Sequence, residues 1–247
     1  MIQQTLQQMK IMKLSGMAYS LEQQLQNPAK YDALSFEERM SLMVQQESND
    51  RHNRKLQRLL KAAKFKFQAH MDDIDFAAQR DLNRAQWASM AQLNWVTHHQ
   101  NILLTGSTGI GKTFLACALG HQACIQGYSV RYFRTSRLLE QLTVSHGDGS
   151  YMRLLNQLAK TDILILDDWG LEPLSHSQRN DLLEVIDDRV NLHSTIITSQ
   201  LPIKSWYKMI GENTLADAIM DRLIHCAVKI EVDGDSMRKN QPKVDPS

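Results

Sequence analysis

The chain has 247 residues, of which 43% are hydrophobic and 22% charged, a composition that excludes a wholly disordered protein. No apolar run approaches the ~20 residues of a membrane-spanning helix, and the N-terminus lacks the pattern of a secretory signal. The three cysteines are too few and too badly spaced for a disulfide scaffold or a zinc site. We therefore expect a protein of the reducing cytoplasm with no membrane partner.

The net charge of +1 hides an uneven distribution along the chain. Residues 1–66 hold 11 Lys and Arg against 6 Asp and Glu, a balance of +5. Residues 67–247 hold 17 against 21, a balance of −4. Such an asymmetry indicates that one part of the chain binds a polyanion.

The N-terminal region has the patterns of two helices. Apolar residues at the i, i+3, i+4, i+7 spacing predict a helix over residues 6–25, which Asn27-Pro28 ends. Ser35 and Glu38 have the spacing of a capping box and predict a second helix that runs to about residue 64.

The second half of this helix is strongly basic, with seven Lys and Arg and no acid in residues 51–66. At 100° per residue, six of them fall within an arc of about 140°, while leucines fall on another side. A face of one charge favours contact with nucleic-acid phosphates over an acidic protein surface or simple solvation, and both alternatives stay open. The predicted DNA contacts here are Arg51, Arg54, Lys55, Arg58 and Lys61.

Residues 68–80 have no clear period and are expected to form a linker. Beyond them, short apolar runs alternate with helical patterns, which predicts a parallel five-stranded sheet covered by helices on both faces. The predicted strands are Asn101–Thr105, Ser129–Phe133, Ile163–Asp167, Ser194–Ser199 and Ala227–Val232. The predicted helices are Arg80–Thr97, Thr113–Gln126, Thr135–Val144, Tyr151–Lys160, Ser177–Asn191 and Leu215–His225.

A phosphate-binding loop stands between the first strand and the helix after it. Its sequence is Gly106-Ser107-Thr108-Gly109-Ile110-Gly111-Lys112-Thr113, which matches G-x-x-x-x-G-K-[ST]. Backbone N–H groups of such a loop and the N-terminus of the helix bind phosphate oxygens. We expect Lys112 to contact the β- and γ-phosphates of ATP and the Thr113 hydroxyl to ligate Mg²⁺.

Two carboxylates follow the buried strand Ile163–Leu166, at the edge of a parallel sheet where ligands bind. Asp167 is predicted to hold Mg²⁺ through water, and Asp168 to orient the attacking water. A simple turn at the strand end is the alternative for this pair taken alone.

The strand Ser129–Phe133 lies between the two motifs in the sequence, so we expect a strand inserted between the two motif-bearing strands of the sheet. That layout favours ATP hydrolysis coupled to movement or assembly over phosphoryl transfer to a metabolite. The polar segment Thr198-Ser199-Gln200 ends the fourth strand, beside the expected γ-phosphate. Arg222 is expected to reach a neighbouring subunit's γ-phosphate, with a surface ion pair as its alternative.

At these residues the chain resembles the AAA+ transposition helper ATPases of the IstB type, which are relatives of the DnaC helicase loaders. The resemblance covers nearly the whole chain and includes segments both inside and outside the nucleotide motifs. These segments are Leu34–Arg39, Leu60–Phe65, the phosphate loop, Asp167–Gly170, Ile197–Pro202 and Ala218–Leu223.

The resemblance implies an ATP-dependent homo-oligomer that assembles on double-stranded DNA and recruits a partner transposase. By position, Gln200 stands where the family has its polar sensor residue and Arg222 where it has its arginine finger. Arg238 is a possible second sensor that contacts phosphate. The implied domains are a helical DNA-binding and assembly domain at 1–67, the linker, and an ATPase domain at 81–247 with a reduced lid or none.

Two residues depart from the wider superfamily. Asp168 replaces the usual Glu, which leaves slow hydrolysis or a role for Glu172 open, and Gln200 replaces a frequent Asn. Arg134 and Arg137 are predicted as a second DNA contact, with solvent exposure as the alternative.

Three other functions stay open at this point. They are a helicase loader, whose N-terminal helices grip a helicase, a small-molecule kinase, and a scaffold that binds ATP but hardly hydrolyses it.

Overall fold

The computed structural model describes residues 2–77, 81–234 and 236–237. The chain divides into two compact units, Met1–Arg58 and Leu59–Ser247. This division falls earlier than the predicted domain boundary at residue 67, because the chain after residue 58 already packs on the second unit. Ala63 is fully buried, and the Phe65 ring occupies the space where Gly120 would carry a Cβ.

Part of the predicted linker at 68–80 is packed into the second unit, to which it belongs. Ala69 and Ile74 are buried, and the 3-10 turn Met71–Asp73 lies against the helix that follows the phosphate loop. The apolar side chains are too sparse for a period, so sequence alone did not reveal the packing.

The first unit is built from helices. They are α1 (Ile2–Ile11), α2 (Ser15–Gln26), α3 (Pro28–Tyr31) and the N-terminal part of α4 (Phe36–Ala63). The prediction of one helix over residues 6–25 is wrong, since Lys13 adopts a left-handed φ of 59° and separates α1 from α2. Gly16 lets α2 approach α4 closely, because a Cβ there would lie 2.7 Å from the Cα of Glu47.

Helix α4 begins as predicted. The Ser35 amide donates to Glu38 Oε2 at 2.7 Å, and the Glu38 amide donates to Ser35 Oγ at 3.2 Å, which confirms the capping box. The helix ends at Ala63, where Lys64 takes a left-handed φ of 55°.

The second unit contains a sheet whose five described strands are all parallel. The strands are β1 (Asn101–Thr105), β2 (Val130–Arg134), β3 (Ile163–Trp169), β4 (Ser194–Ser199) and β5 (Ala227–Glu231), so all five strand predictions are confirmed. Their order is β2-β3-β4-β1-β5. A strand does separate the two motif-bearing strands, β1 and β3, but it is β4, whereas β2 lies at the edge.

Helices flank this sheet. They are α5 (Arg84–Ala91), α6 (Asn94–Thr97), α7 (Lys112–Ile125), α8 (Thr135–Asp148), α9 (Tyr151–Ala159), α10 (His176–Asp187), α11 (Trp206–Ile210) and α12 (Asn213–Ile224). The predicted helix Arg80–Thr97 is broken, because Leu93 has a left-handed φ of 60°. Short α11 was not predicted.

Successive side chains of β3 point to opposite faces of the sheet and show what covers each face. Ile165 lies against α7, where a Cβ on Gly120 would be 2.9 Å from its Cδ1. Leu164 and Leu166 point the other way and join a buried cluster with side chains of α8 to α12. The predicted two-sided covering is therefore confirmed.

None of the described helices is long and apolar enough to cross a bilayer. Cys117 and Cys124 are buried and Cys226 is exposed, and all three are free. Burial raises the pKa of the Cys117 thiol to about 11, so this residue stays a neutral part of the core.

Candidate nucleotide site and nucleic-acid interface

The phosphate loop runs from the end of β1 to the start of α7 and is shaped by close backbone approaches. A Cβ on Gly106 would collide with the carbonyl oxygen of Val232, and one on Gly109 would collide with Ser236 Oγ. The Met237 amide donates to the carbonyl of Gly109 at 2.9 Å. The segment after β5 therefore lies on the loop and helps to fix its shape.

Lys112 opens α7 and folds back over the loop. Its ammonium donates to the carbonyl oxygens of Gly106 at 2.8 Å and Ser107 at 2.7 Å. Burial lowers the pKa of Lys112, while Asp168 and Asp167 oppose that shift. The cation thus lies at the mouth of the loop, close to both carboxylates.

Asp167 is fully buried near the end of β3, and its carboxylate accepts hydrogen bonds from three other elements. The hydroxyls of Thr113 in α7 and Thr198 in β4 donate to Oδ1 at 2.7 and 2.5 Å. The hydroxyl of Tyr132 in β2 donates to Oδ2 at 2.6 Å, and Lys66 Nζ lies 3.8 Å from the same oxygen. A buried carboxylate needs such partners to keep its charge.

Asp168 lies within β3, where the pairing with β4 is irregular between Leu166 and Trp169, and it has a left-handed φ of 58°. Its amide donates to Thr198 Oγ1 at 3.2 Å, which helps to hold this conformation. Its carboxylate accepts from Arg134 Nε at 3.0 Å. Arg134, predicted as a DNA contact, is therefore half-exposed but already paired with the residue predicted to orient water.

A pocket of about 210 Å³ lies beside Asp168. Its lining includes Arg134, Ser136, Glu140, Glu172 and Gln178. Glu172, the alternative acid, thus borders the same space as Asp168. Arg137 is exposed at the start of α8 and pairs with Glu140 at 2.8 Å.

The sequence placed Thr198-Ser199-Gln200 beside the expected γ-phosphate, and the resemblance selected Gln200 among them, but Gln200 is exposed one residue beyond the strand. The β4 side chain that contacts both aspartates is Thr198, which is 1% exposed. Thr198 carried a usable signal, because it is a polar residue next to the end of an apolar strand. Tyr132 carried none, since β2 reads as an ordinary apolar strand.

Arg222 lies near the end of α12, at the edge of the sheet opposite the phosphate loop. The Asn101 side chain, at the start of β1, donates to the carbonyl oxygen of Arg222 at 3.4 Å and of Leu223 at 3.2 Å. The loop follows the other end of β1, roughly 13 Å away at 3.3 Å per residue. Arg222 therefore does not reach the phosphate loop of its own chain.

The guanidinium of Arg222 is held at the surface. Its Nε donates to Asp187 Oδ1 at 2.6 Å, and NH1 donates to the Ala218 carbonyl at 3.1 Å. A cavity of about 230 Å³ borders Arg222 and is also lined by Arg189, His193 and His225. The predicted alternative, an ion pair with an acid, is thus present, and the acid is Asp187.

The basic residues of α4 fall into two groups. Glu47, buried one turn earlier, accepts from Arg51 Nε at 2.7 Å and lies 3.5 Å from Arg54. Glu47 also accepts from the amides of Gly16 at 2.7 Å and Met17 at 3.2 Å, at the start of α2. The hydrogen bond from Arg51 lowers the pKa of Glu47, helped by the two amides and opposed by burial.

Lys55, Arg58 and Lys61 are exposed, and no acid among residues 2–77, 81–234 and 236–237 pairs with them. They are the cations of α4 that are free to meet a polyanion. Arg238, the predicted second sensor, lies outside the described residues.

Comparison with known proteins places the chain in a family. A family model described as "IstB-like ATP binding protein" matches residues 7–244. The chain belongs to this IstB-like family of ATP-binding proteins. The resemblance seen in the sequence is thereby confirmed.

Two relatives span almost the same length. An insertion sequence ATP-binding protein named y4pL from Sinorhizobium fredii is 44% identical over 237 residues, which is 96% of each chain. The protein named as the ATP-binding protein of insertion sequence IS1162 from Pseudomonas fluorescens is 53% identical over 203 residues. That match covers 82% of this chain and 87% of the relative.

Solved structures share the fold of the sheet domain. The DnaC helicase loader superposes with a TM-score of 0.58 at 22% identity, covering 69% of this chain and 100% of that one. DnaI gives a TM-score of 0.57 at 22% identity, covering 68% and 90%. These likenesses confirm the predicted AAA+ P-loop fold with its parallel five-stranded sheet.

Proposed function

We propose that this protein is an ATPase that binds Mg²⁺ and ATP, assembles as a homo-oligomer on double-stranded DNA and recruits the transposase of an insertion sequence. The observation that carries the proposal is the hydrogen bond of 2.7 Å between Thr113 and Asp167, because it joins the phosphate-loop helix to the carboxylate of β3. These are the two oxygen ligands that a P-loop site offers to Mg²⁺.

The residues fit a magnesium nucleotide. Thr113 and Asp167 supply hard oxygens, the ligands that Mg²⁺ prefers, and Lys112 supplies a positive charge for phosphate oxygens. The first N–H groups of α7 and the backbone of the glycine loop add further donors. When bound, Mg²⁺ neutralises charge that develops on the transferred phosphoryl group.

Water activation is assigned to Asp168. It borders the pocket of about 210 Å³ that Glu172 also lines, and its amide and its carboxylate are both anchored. Its shorter side chain and its ion pair with Arg134 favour slow basal turnover. Glu172 lines the same pocket and is the second candidate for this role.

DNA binding is assigned mainly to α4 and to the helical N-terminal domain of residues 1–67. Lys55, Arg58 and Lys61 contribute phosphate contacts with little sequence reading, because cations on one helix face recognise charge and not base edges. Arg51 and Arg54 contribute less, since Glu47 already neutralises them in part. Arg134 and Arg137 are assigned to a secondary DNA contact.

Assembly is assigned to the two opposite strand ends of the sheet, where one subunit carries its phosphate loop and the next subunit its Arg222. Arg222 is too far from its own phosphate loop, so its action on a γ-phosphate requires a neighbouring subunit. Gln200 remains assigned as a sensor beside the γ-phosphate, now together with Thr198.

The link to transposition rests on the insertion-sequence relatives, which are matched over almost their whole length. A DnaC-like helicase loader is the second candidate, and the shared fold with the DnaC loader favours it.

The deciding experiment measures ATP turnover of the full chain alone, with duplex DNA, with the cognate transposase and with a replicative helicase. We expect stimulation by DNA and a complex with transposase that requires ATP and DNA. Binding to the helicase without any binding to duplex DNA would overturn the transposition assignment in favour of the loader.

A further inference from the structure

Tyr132 lies on the edge strand β2, where no sequence pattern assigned it a role. Its register partner on β3 is Ile165, and Asp167 stands two residues further along on the same face of the sheet. An aromatic side chain spans such a diagonal, and the Tyr132 hydroxyl donates to Asp167 Oδ2 at 2.6 Å. The phenol therefore reaches the carboxylate from the side opposite β4.

The donors to Asp167 are divided between its two oxygens. Two hydroxyls, from Thr113 and Thr198, occupy Oδ1. Among the described residues, Tyr132 is the one hydrogen-bond donor to Oδ2, because Lys66 is 3.8 Å away, beyond hydrogen-bond length. The terminal torsion of an aspartate is soft, so a donor on each oxygen decides how the carboxylate is turned.

The chemical nature of this donor matters as well as its place. A phenol compensates the buried carboxylate for lost hydration without cancelling its negative charge, whereas an ammonium at the same oxygen would compete with a cation. Partners that orient a ligating carboxylate set its metal affinity, and their removal costs about 10–100-fold.

We propose that Tyr132 is a positioning residue that turns the Asp167 carboxylate toward Thr113 and so sets the affinity of the site for the magnesium nucleotide. The proposal rests on the proposed function, since it assigns to Tyr132 a part in that same site. In this role Tyr132 acts through its hydrogen bond to Asp167.

The test is a magnesium titration of a fluorescent ATP analogue bound to the full chain, with wild type and Tyr132→Phe compared. Phenylalanine keeps the ring and its packing and removes only the hydroxyl. We expect the magnesium concentration for half-maximal binding to rise by about tenfold or more, while binding without magnesium stays unchanged. Tyr207→Phe is the matched control, because Tyr207 is an exposed tyrosine on α11 and its variant should titrate like wild type.

Each outcome has a distinct meaning. An unchanged magnesium midpoint in Tyr132→Phe overturns the proposal, as does an equal loss of binding with and without magnesium, which would mean a general structural defect. Thermal unfolding in magnesium-free buffer reports that defect directly. If wild type itself binds the analogue without any response to magnesium, the proposed magnesium nucleotide site fails, and not merely the role of Tyr132.

Discussion

The carboxyl edge of the sheet and the basic face of α4 both concentrate polar groups, but they satisfy them in opposite ways. At the sheet edge, Asp167 is fully buried and each carboxylate oxygen has a hydroxyl donor from another element. On α4, Lys55, Arg58 and Lys61 stand exposed, and the described residues give them no acid. Internal partners fix a geometry, whereas missing partners leave charge available to a molecule from outside.

Arg222 shares a feature with each of these two regions, because it is partly exposed and yet ion-paired. We expect Arg222→Ala to lower turnover by about 10³-fold in DNA-bound assemblies, as for an arginine finger, with ATP binding retained. Asp187→Asn is the control, since it frees the guanidinium and removes only a surface pair worth about 0–1 kcal/mol. Steady-state ATPase assays check both variants.

Two results would contradict the finger role. One is an equal loss of turnover in both variants, which would mean that the Arg222–Asp187 pair matters for structure. The other is the absence of rescue when Arg222→Ala is mixed with a catalytically dead subunit that retains Arg222.

Lys112→Ala removes the cation inside the buried site. Because a hydrogen bond to a charged group is worth roughly 1.5–3 kcal/mol, we expect ATP affinity to fall by about 10–100-fold. Titration with a fluorescent ATP analogue checks this, and Lys208→Ala, an exposed lysine on α11, is the control. Unchanged affinity in a folded Lys112→Ala variant would contradict the phosphate-loop assignment.

A triple variant tests the exposed basic face of α4. It changes Lys55, Arg58 and Lys61 together to Gln. If all three contact phosphates, the slope of log affinity against log salt should shrink by about 2.7, at roughly 0.9 per contact. DNA affinity should fall for all sequences alike, and ATP binding without DNA should not change. Salt titrations of duplex binding check this expectation.

The matched control carries the same loss of charge elsewhere: Arg153, Lys204 and Lys208 changed to Gln, all exposed in the second unit. Parallel salt lines and equal affinity for the α4 variant and wild type would show that this face does not bind DNA. Arg51 and Arg54 are left out, because their loss would also expose Glu47 without its partners.

We expect the smallest effect from Glu47→Gln, which should change the melting temperature in a way that depends on pH. The pKa of Glu47 is lowered in the folded chain, so its stabilising contribution is present above the unfolded value near 4.5 and is lost as pH falls through the lower folded value. The difference in melting temperature between wild type and Glu47→Gln should therefore be largest near neutral pH and shrink below about pH 4.5. A constant difference from pH 7 to pH 3 would contradict this account.

The features that the sequence predicted correctly are those that depend on residues close together in the chain. They are the five strands, the capping box at Ser35 and the strand–loop–helix segment around Lys112. Lys13 and Leu93 broke predicted helices because a non-glycine residue in a left-handed conformation leaves no mark in the sequence.

Contacts between residues far apart in the chain could not be predicted, because local patterns do not show which distant side chains meet. Tyr132 and Asp167 are 35 residues apart, and Thr198 and Asp167 are 31 apart. Only the sheet order, with β4 and not β2 beside β1, places these hydroxyls on one carboxylate. Glu47 stands four residues before Arg51, at the helix spacing of an ion pair, but it lies outside the acid-free basic run of residues 51–66.

Electron microscopy of the protein with ATP, Mg²⁺ and duplex DNA reports subunit number, DNA path and nucleotide position in one experiment. We expect a multi-subunit assembly that forms only with nucleotide and DNA together. In it, DNA lies against the basic face of α4, and nucleotide lies between one subunit's phosphate loop and the next subunit's Arg222. Single subunits, or assemblies in which α4 faces away from the DNA, would contradict this expectation.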